Sequence, residues 1–396
     1  MSMKKIGILG SGIIGLSLGY KISKLFKDYK ITIFEKDSDF GLHQSGRNSG
    51  VLHCGLAYQP GSLKSKLAIS GIEQMTNFCR KHDIPHDICG KIVVASNVKD
   101  VHNLDALAKN GFNNGLKNLK FLNKNELKKR EPNVISSKTL LVPNEGIVDY
   151  KLVMKKFIEK IIQNGGEIIF NSKIENIKNR KNKVLVNEKK SEHELDLLFN
   201  CTGLFSDRNY TKYTTKKSPL KIIPFRGEYM MLKPEYNLFN NLIYPVADRK
   251  YPFLGIHFTR LINNDLEVGP NAVLAFKREG YVNTDFSLKD TADTLSYMGF
   301  YKFILKNFKF SMNEFSSSFF REVFIRRTRR IIPDIKSSML TKGIAGVRAQ
   351  SMNSSGDLVM DFKILKEGNQ VHVLNAPSPG ATASLAIADY IIKNYT

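Results

Sequence analysis

The amino-terminal segment alternates between apolar runs and a glycine-rich turn in the pattern of a nucleotide-binding unit. The apolar run 6–9 leads directly into glycines at positions 10, 12 and 15. Residues 16–26 then place apolar side chains at helical spacing, and a second apolar run, 31–34, ends at Glu35. The pattern predicts a strand, a helix and a second parallel strand, the unit that binds the ADP half of a dinucleotide.

Each glycine of this unit has a physical role. Gly10 allows the tight turn, Gly12 lets the backbone approach a pyrophosphate, and Gly15 lets the helix pack closely on the strand. Glu35 lies 23 residues after Gly12, where a carboxylate caps ribose hydroxyls and would repel a 2′-phosphate. We expect the cofactor contacts of this segment to come from Gly10, Gly12, Ile13, Ile14, Gly15, Glu35 and Lys36.

Later segments favour FAD over a nicotinamide dinucleotide. The stretch 43–53 is dense in glycine and small hydroxyl residues, which permits close backbone approach to a bulky, flat ligand. A strand-like run, 195–200, ends in 201–203, and the stretch 375–384 precedes a helical tail. Each later piece alone reads as a turn, but together they suit a long cofactor. The further cofactor contacts predicted here are His43, Ser45, Arg47, Asn48, Ser49, Gly50, Thr202, Gly203, Gly380, Ala381 and Thr382.

Several sequence blocks resemble one known family. They are residues 43–64, 89–91, 224–229, 257–260, 269–276, 278–281, 346–350 and 375–379. Collinear over nearly the whole chain, they resemble the FAD-dependent oxidoreductases of the D-amino-acid oxidase group, and within it the members that oxidise L-2-hydroxyglutarate. Ala57 departs from the family, which tends to carry an aromatic residue there.

The motifs and the resemblance together imply an α/β fold. We expect a Rossmann-like FAD-binding domain interleaved with a substrate domain made of a smaller antiparallel β-sheet plus helices. The FAD-binding domain is predicted to be discontinuous, over residues 1–86, 147–213 and 333–396, with the substrate domain over 87–146 and 214–332.

The apolar patterns predict further elements in both domains. Asp149 and Tyr150 open a helix through Gln163, which Asn164, Gly165 and Gly166 end. Strands are predicted over 91–96, 167–170, 222–232, 241–246 and 254–261, and helices over 289–310, 313–332 and 385–395.

The 396-residue chain is strongly basic, with 60 Lys and Arg against 37 Asp and Glu and a net charge of +23. Its lysines are spread along the sequence, as compositional drift would produce. The predicted helix 313–332 concentrates arginines beside apolar residues, which favours a solvated face packed on the core and leaves contact with a membrane surface as the alternative. No nucleic-acid-binding module accompanies the charge, so we expect no nucleic-acid partner.

The compartment is predicted from cysteines and apolar runs. Four widely spaced cysteines without a C-x-x-C pair suit reduced thiols, and they give metal sites no support. Met1 leads directly into the first core strand, so we expect no secretory signal. No apolar run approaches the roughly 20 residues that span a bilayer. We expect a cytoplasmic protein, with peripheral contact at the inner face of the membrane as the alternative.

Oxidation of a 2-hydroxy acid requires a proton acceptor and cations for carboxylates. Histidine suits the proton and arginine suits the carboxylates. His53 and His257, both inside resembling blocks, compete as the base, and the resemblance aligns Arg348 with the position that holds the substrate α-carboxylate. Arg226 and Arg260 compete for a distal carboxylate. We place the catalytic centre at His53, His257, Arg348 and Arg226, and further substrate contacts at Arg260, Tyr58, Tyr229 and Lys64.

The resemblance implies FAD-dependent oxidation of L-2-hydroxyglutarate to 2-oxoglutarate, with electrons passed to a quinone or oxygen. The substrate is therefore expected to be a small dicarboxylate. Two alternatives stay open. One is a related oxidoreductase acting on glycerol 3-phosphate or an amino acid, which the cationic residues do not exclude. The other is a flavin-binding subunit or RNA-associated factor without turnover, which is disfavoured because the predicted catalytic residues are all present.

Overall fold

Six strands form the sheet predicted from the amino-terminal apolar pattern. The computed structural model describes residues 3–188, 191–246, 255–308 and 321–396. Lys4–Leu9 pairs in parallel with Tyr29–Phe34 on one side and Leu197–Asn200 on the other. The pairing at one edge is antiparallel and the other pairings are parallel. Across the sheet the order is Lys363–Glu367, Gln370–Asn375, Leu197–Asn200, Lys4–Leu9, Tyr29–Phe34 and Glu167–Ile169.

The two faces of this sheet are covered differently. Alternating side chains such as Ile6 and Ile8 pack against helices, whereas Leu9 and Leu198 belong to a core on the opposite side. That second core is closed by a small antiparallel sheet of Asn176–Arg180, Lys183–Asn187 and Glu192–Leu195. The helices of the first core are Ile13–Leu25, Leu63–Lys81, Tyr150–Gln163 and Ser384–Tyr395. Burial on both faces explains why the central strands are nearly continuous apolar runs.

A second large sheet is mainly antiparallel. Its central strand, Lys221–Leu232, pairs with Leu340–Met352 over eleven register positions with one bulge. One pairing, between Leu242–Pro245 and Lys91–Ala95, is parallel. The order along the sheet is Val273–Leu274, Lys221–Leu232, Leu266–Gly269, His257–Arg260, Leu242–Pro245, Lys91–Ala95, Lys138–Val142 and Lys120–Leu122.

The remaining elements connect the two sheets. Val51–Leu52, Gly146–Val148 and His86–Asp87 form a short antiparallel sheet. The other α-helices of the described residues are Val98–Asn113, Lys124–Arg130, Ser206–Thr214, Leu288–Leu295, Met298–Lys306 and Arg321–Thr328. Short 3-10 helices cover Gln44–Gly46, Gly203–Phe205 and Ser337–Met339.

Most predicted elements are found within a residue or two. Asp149 caps the helix Tyr150–Gln163 by accepting a hydrogen bond from the Lys151 amide at 2.7 Å. The strand predicted over 254–261 is found as His257–Arg260, with position 254 outside the described residues. The predicted α/β fold, with a Rossmann-like sheet and a second sheet carrying helices, is confirmed.

Two predicted helices differ from those observed. The helix predicted over 289–310 is divided at Tyr297, whose backbone is extended and whose hydroxyl donates to the Met352 carbonyl oxygen at 3.3 Å. Of the basic helix predicted over 313–332, residues 313–320 lie outside the described residues, and the helix Arg321–Thr328 ends four residues early. Phe324 and Ile325 of this helix are buried in the core of the second sheet.

The domain division stays a prediction, but one strand departs from it. The boundary at residue 333 assigns Leu340–Met352 to the FAD-binding domain, whereas the structure pairs that strand with Lys221–Leu232 in the second sheet. By number of described strands, the second sheet is also the larger of the two. Across the ranges that the structure describes, no helix has the length and apolar character needed to cross a bilayer.

Arg278 provides a test of how the two sheets are joined. Arg278 is 1% exposed, its guanidinium donates to both carboxylate oxygens of Asp207 at 2.5 and 2.9 Å, and Asp207 also accepts from the Ile222 amide. We predict that Arg278→Met lowers the free energy of unfolding by about 3–5 kcal/mol, because it leaves a buried carboxylate uncompensated.

Urea unfolding followed by far-UV circular dichroism measures this difference. Lys138→Met is the matched control, because Lys138 and Asp105 form a pair with side chains 34% and 47% exposed, and its loss should cost below about 1 kcal/mol. Equal destabilisation by the two substitutions would contradict the prediction.

Candidate active site

An elongated cavity of about 1360 Å³ begins at the carboxyl ends of the parallel strands. Leu9, Glu35 and Cys201, each at or just beyond a strand end, line this part of it. From there the cavity continues to residues of the second sheet, among them Tyr229, His257 and Arg348. A ligand in it would therefore contact both sheets.

The glycine-rich turn brings backbone to the cavity. Gly10 has a φ of +98°, and a Cβ there would lie 2.8 Å from the Cys201 carbonyl oxygen. A Cβ on Gly15 would lie 2.1 Å from the Gly10 carbonyl oxygen, so the helix can pack this closely only with glycine. The first turn of the helix Ile13–Leu25 thus faces the cavity, and amides at a helix amino terminus favour phosphate. Ser45 Oγ accepts from the Ile13 amide at 2.9 Å.

Glu35 is held firmly at the next strand end. One carboxylate oxygen accepts from the Ser11 amide at 2.7 Å and from the Ser11 hydroxyl at 2.8 Å, and the other accepts from the Asp37 amide at 3.1 Å. Nearby on the cavity wall, Ser172 Oγ is buried and has no hydrogen-bond partner among the described residues. A fixed carboxylate and an unpartnered hydroxyl suit the hydroxyl groups and polar edges of an adenosine moiety.

An ionic cluster joins the loop after Glu35 to the segment after Val273–Leu274. His43 Nε2 and Lys36 Nζ each lie 2.8 Å from both Asp37 and Glu279. Burial alone would lower the pKa of His43, but its hydrogen bond to Glu279 and the charge of that carboxylate raise it. His43 Nδ1 also lies 2.5 Å from the hydroxyl of Tyr281. Because Lys36 and His43 each contact both carboxylates, we interpret this cluster as an ion-pair network.

The predicted cofactor residues converge on the cavity. All of them except Gly15 and Gly50 line it. Gly50 stands behind the wall, where its carbonyl oxygen accepts from the Val148 amide at 2.8 Å. The side-chain amide of Asn48 donates hydrogen bonds to the carbonyl oxygens of Gln44 and Ser45. The guanidinium carbon of Arg47 lies 3.8 Å from the ring centre of Tyr281. Contact of these residues with a cofactor stays a prediction.

These features fit FAD. The cavity exceeds the roughly 300–1,000 Å³ of a pocket for one drug-sized ligand, so it has room for a long cofactor and a small substrate. The glycine turn and Glu35 would hold its phosphates and ribose, and the small residues around Gly380 and Thr382 lie on the wall farther along.

The part of the cavity beside the second sheet is its proposed substrate end, and His53 lies there next to Tyr244. One of its ring nitrogens makes a hydrogen bond within the protein. Its Nδ1 is 3.2 Å from a carboxylate oxygen of Glu145, and its amide donates to Thr382 Oγ1 at 3.2 Å. Because an ionised carboxylate only accepts hydrogen bonds, Nδ1 is the ring nitrogen that donates to Glu145.

His257 is packed against Tyr244. The two rings are stacked with centres 4.1 Å apart, and Tyr244 meets His53 edge-on at 6.3 Å. His257 Nδ1 donates to the Gly255 carbonyl oxygen at 3.2 Å. Burial, reinforced by the nearby charge of Arg348, lowers the pKa of His257 to about 3. The ring is therefore neutral near pH 7.

Two cationic side chains line the substrate end. Arg348 extends from Leu340–Met352, opposite Phe225. Lys64 is 7% exposed, and its ammonium lies 4.6 Å from the ring centre of Tyr58. Burial lowers the pKa of Lys64 to about 8, against the opposing charge of Asp361. The predicted contact Tyr229 also lines the cavity, and burial raises its pKa to about 12.

Arg226 and Arg260, predicted to compete for a distal carboxylate, do not line the cavity. Arg226 donates to Glu228 at 3.0 and 3.1 Å and to the Val282 carbonyl oxygen. Arg260 pairs with Asp87 and donates to the Asn240 carbonyl oxygen at 2.9 Å. Both guanidinium groups are thus engaged in contacts within the protein, and their contact with a substrate stays a prediction.

Sequence reasoning missed the charged pair behind the cavity wall. Glu145, whose side chain is 1% exposed, contacts His53 and lies 2.7 Å from Lys91 Nζ. Lys91 in turn lies 5.1 Å from the ring centre of Tyr244, which also went unpredicted. Two signals were available for Lys91: it lies in the resembling block 89–91, and it is a lysine at the start of the otherwise apolar strand Lys91–Ala95.

The chain matches known proteins along its whole length. Residues 5–393 match the family described as FAD dependent oxidoreductase. L-2-hydroxyglutarate dehydrogenase of Indibacter alkaliphilus is 43% identical over 98% of this chain and 97% of its own length. The enzymes of that name from Escherichia coli K12 and from human mitochondria are 38% and 37% identical over 98% of this chain, and 92% and 87% of their own lengths.

Solved structures show the same fold. The FAD-bound L-alpha-glycerophosphate oxidase of Mycoplasma pneumoniae superposes with a TM-score of 0.79 at 20% identity, over 99% of this chain and 94% of the other. Glycine oxidase of Geobacillus kaustophilus gives a TM-score of 0.74 at 15% identity, over 99% and 96%. These likenesses establish the fold alone.

Removal of the Glu35 carboxylate should weaken FAD binding. A charge-assisted hydrogen bond contributes about 1.5–3 kcal/mol, so Glu35→Ala should raise the FAD dissociation constant by roughly 10- to 100-fold. Flavin fluorescence during reconstitution of the apoprotein measures the constant. Glu73→Ala, which removes an exposed carboxylate of the helix Leu63–Lys81 that does not line the cavity, is the control and should bind FAD normally. Equal affinity of the two variants would contradict the role of Glu35.

Proposed function

The chain belongs to the FAD-dependent oxidoreductase family, and on that basis we propose that it oxidises L-2-hydroxyglutarate to 2-oxoglutarate. The single observation that carries the proposal is the substrate end of the cavity, where Arg348, Lys64 and His53 line one space. Two cations and a base are what a 2-hydroxy dicarboxylate requires. The names of the relatives, at 37–43% identity over nearly full length, support the same substrate.

The reaction balances with one proton and one hydride. The C2–H bond breaks and its electron pair leaves as hydride, the hydroxyl O–H bond breaks and its proton goes to a base, and a C=O bond forms. Bound FAD supplies the two-electron acceptor for the hydride. The protein side chains then have two tasks, which are to hold two carboxylates and to accept one proton.

Arg348 and Lys64 each bind one of the two substrate carboxylates. The planar fork of Arg348 gives two parallel hydrogen bonds to the carboxylate next to the reacting carbon. Lys64 takes the distal carboxylate, because the alternatives Arg226 and Arg260 are paired outside the cavity. Tyr58 and Tyr229 complete the wall around the substrate.

His53 is the better candidate for the base. An imidazole whose pKa is about 3, as for His257, accepts a proton poorly near neutral pH. His257 therefore contributes a neutral ring, stacked on Tyr244, to the wall beside the substrate. His53 Nε2 receives the hydroxyl proton.

The electrons pass from the flavin to a quinone or to oxygen. Separately, we propose that the protein contacts an anionic membrane surface. Large apolar side chains are exposed along residues 276–308, including Met298, Tyr301 and Leu305 on one face of the helix Met298–Lys306. Lys302 lies beside them, Lys306 is paired with Asp357 at 2.7 Å, and the net charge of the chain is +23. Anionic lipid complements both properties. Membrane contact through the basic helix 313–332 stays a prediction, and in its described part Phe324 and Ile325 are buried in the protein core.

Steady-state assays with a dye acceptor test the substrate. We expect kcat/KM for L-2-hydroxyglutarate to exceed that for its D-isomer, for L-2-hydroxypentanoate, which lacks the distal carboxylate, and for glycerol 3-phosphate by at least tenfold. A charge-assisted contact of about 1.5–3 kcal/mol sets that margin. A higher kcat/KM for glycerol 3-phosphate or for an amino acid would overturn the proposal.

The pH dependence of kcat/KM tests Lys64. Its ammonium is charged below the pKa of about 8 and neutral above it, so kcat/KM for L-2-hydroxyglutarate should fall as pH rises through 8. In Lys64→Met this fall should be absent and KM should be at least tenfold higher at pH 7. L-2-hydroxypentanoate is the control substrate, with the same KM in both proteins. A pH fall that persists in the variant would exclude Lys64.

Vesicle sedimentation tests the membrane surface. Binding to phosphatidylglycerol vesicles should weaken at least tenfold in Met298→Ser/Leu305→Ser, because each buried side chain contributes about 1.5–3 kcal/mol. Leu25→Ser, which changes an exposed apolar residue of the first helix, is the matched control and should bind as wild type. Wild-type protein that stays in solution with anionic vesicles would contradict the assignment.

A further inference from the structure

Glu145 lies directly behind His53, out of reach of the cavity itself. It precedes the strand Gly146–Val148, and its side chain is 1% exposed. One carboxylate oxygen lies 3.2 Å from His53 Nδ1 and 2.7 Å from Lys91 Nζ. The other accepts from the Cys54 amide and from Cys54 Sγ, each at 3.3 Å. Both oxygens of this buried group are thus satisfied.

Burial of these charged groups is unfavourable in free energy unless they compensate one another. A buried carboxylate loses several kcal/mol of hydration, and so does the buried ammonium of Lys91. Burial alone would raise the pKa of Glu145, but the charges of Lys91 and His53 outweigh it and hold that pKa below its usual range. The carboxylate is therefore ionised at neutral pH, and it can only accept a hydrogen bond from Nδ1.

We propose that Glu145 is a positioning residue that holds His53 as its Nδ1–H tautomer, with Lys91 keeping the carboxylate ionised. The inference rests on the proposed function, in which His53 Nε2 takes the hydroxyl proton. In the other tautomer Nε2 would carry a hydrogen and could accept nothing. When the proton arrives, Glu145 also stabilises the imidazolium cation across the 3.2 Å contact.

The positions of the neighbours agree with this role. Tyr244 contacts both His53 and Lys91, so the ring, the imidazole and the ammonium are packed as one unit. The His53 amide is fixed by Thr382 Oγ1, which places the residue from the opposite side. If the ion pair between Glu145 and Lys91 were only structural, Glu145 would not need His53 on the cavity wall as a third partner.

Nitrogen-15 NMR of histidine-labelled holoenzyme tests the tautomer directly. The His53 signals are assigned by their loss in His53→Ala, and spectra are taken at alkaline pH. We expect the Nδ1–H form in the wild type and a shift toward the Nε2–H form in Glu145→Gln, whose amide can donate to Nδ1. An unchanged tautomer in Glu145→Gln would overturn the inference. This readout needs no turnover, so it is independent of whether L-2-hydroxyglutarate is the substrate.

Rapid-reaction kinetics supplies the second readout. In Glu145→Gln the rate of flavin reduction by L-2-hydroxyglutarate should fall about 10²-fold, with flavin content and substrate affinity changed less than threefold. The double variant with His53→Ala should be no slower than His53→Ala alone, because both changes remove one function. Multiplied effects in the double variant would overturn the inference.

Cys54→Ala is the matched control for both readouts. It removes the Sγ contact to the other carboxylate oxygen of Glu145 and leaves the His53 contact in place. The rate of flavin reduction should therefore stay within threefold of wild type, and the His53 tautomer should be unchanged. If Glu145→Gln does not retain flavin, Lys91→Gln takes its place, with the same tautomer shift expected. An unshifted tautomer in that variant would also overturn the inference.

Discussion

The buried carboxylate of Glu145 constrains the site more than any other group. It must be compensated, and its partners come from the segment after Val51–Leu52 and from the strand Lys91–Ala95. A buried ion left without its partner costs about 3–5 kcal/mol. These segments therefore assemble only in an arrangement that also places His53 on the cavity wall. In the proposed mechanism, both the stability of the fold and the orientation of His53 depend on this contact.

The cofactor end follows a different constraint, which is close approach of backbone. At Gly10 and Gly15 the turn, the helix and the strand end meet at distances that exclude a side chain. The network around His43 then ties this loop to Glu279, near the second sheet. The two sheets in this way form the walls of one cavity, so a cofactor held by the first sheet would reach the residues of the second sheet that we propose bind the substrate.

Features built from contacts between neighbours in the chain could be predicted from the sequence, and features built from long-range contacts could not. The unit from Gly10 to Glu35 could be predicted because its strand, turn and helix are adjacent in the chain. Arg226 and Arg260 could not be placed, because pairing with Glu228 and Asp87 depends on side-chain direction and on a partner 173 residues away. Glu145 was missed for the same reason, since it lies 92 residues from His53 and no local pattern marks it.

Anaerobic titration of the purified flavoprotein with L-2-hydroxyglutarate tests the central claim most directly. Flavin absorbance should bleach within the mixing time or shortly after, one 2-oxoglutarate should form per flavin reduced, and the D-isomer should leave the spectrum unchanged. Oxidised flavin that persists in excess L-2-hydroxyglutarate, while another hydroxy acid, glycerol 3-phosphate or an amino acid bleaches it, would contradict the account.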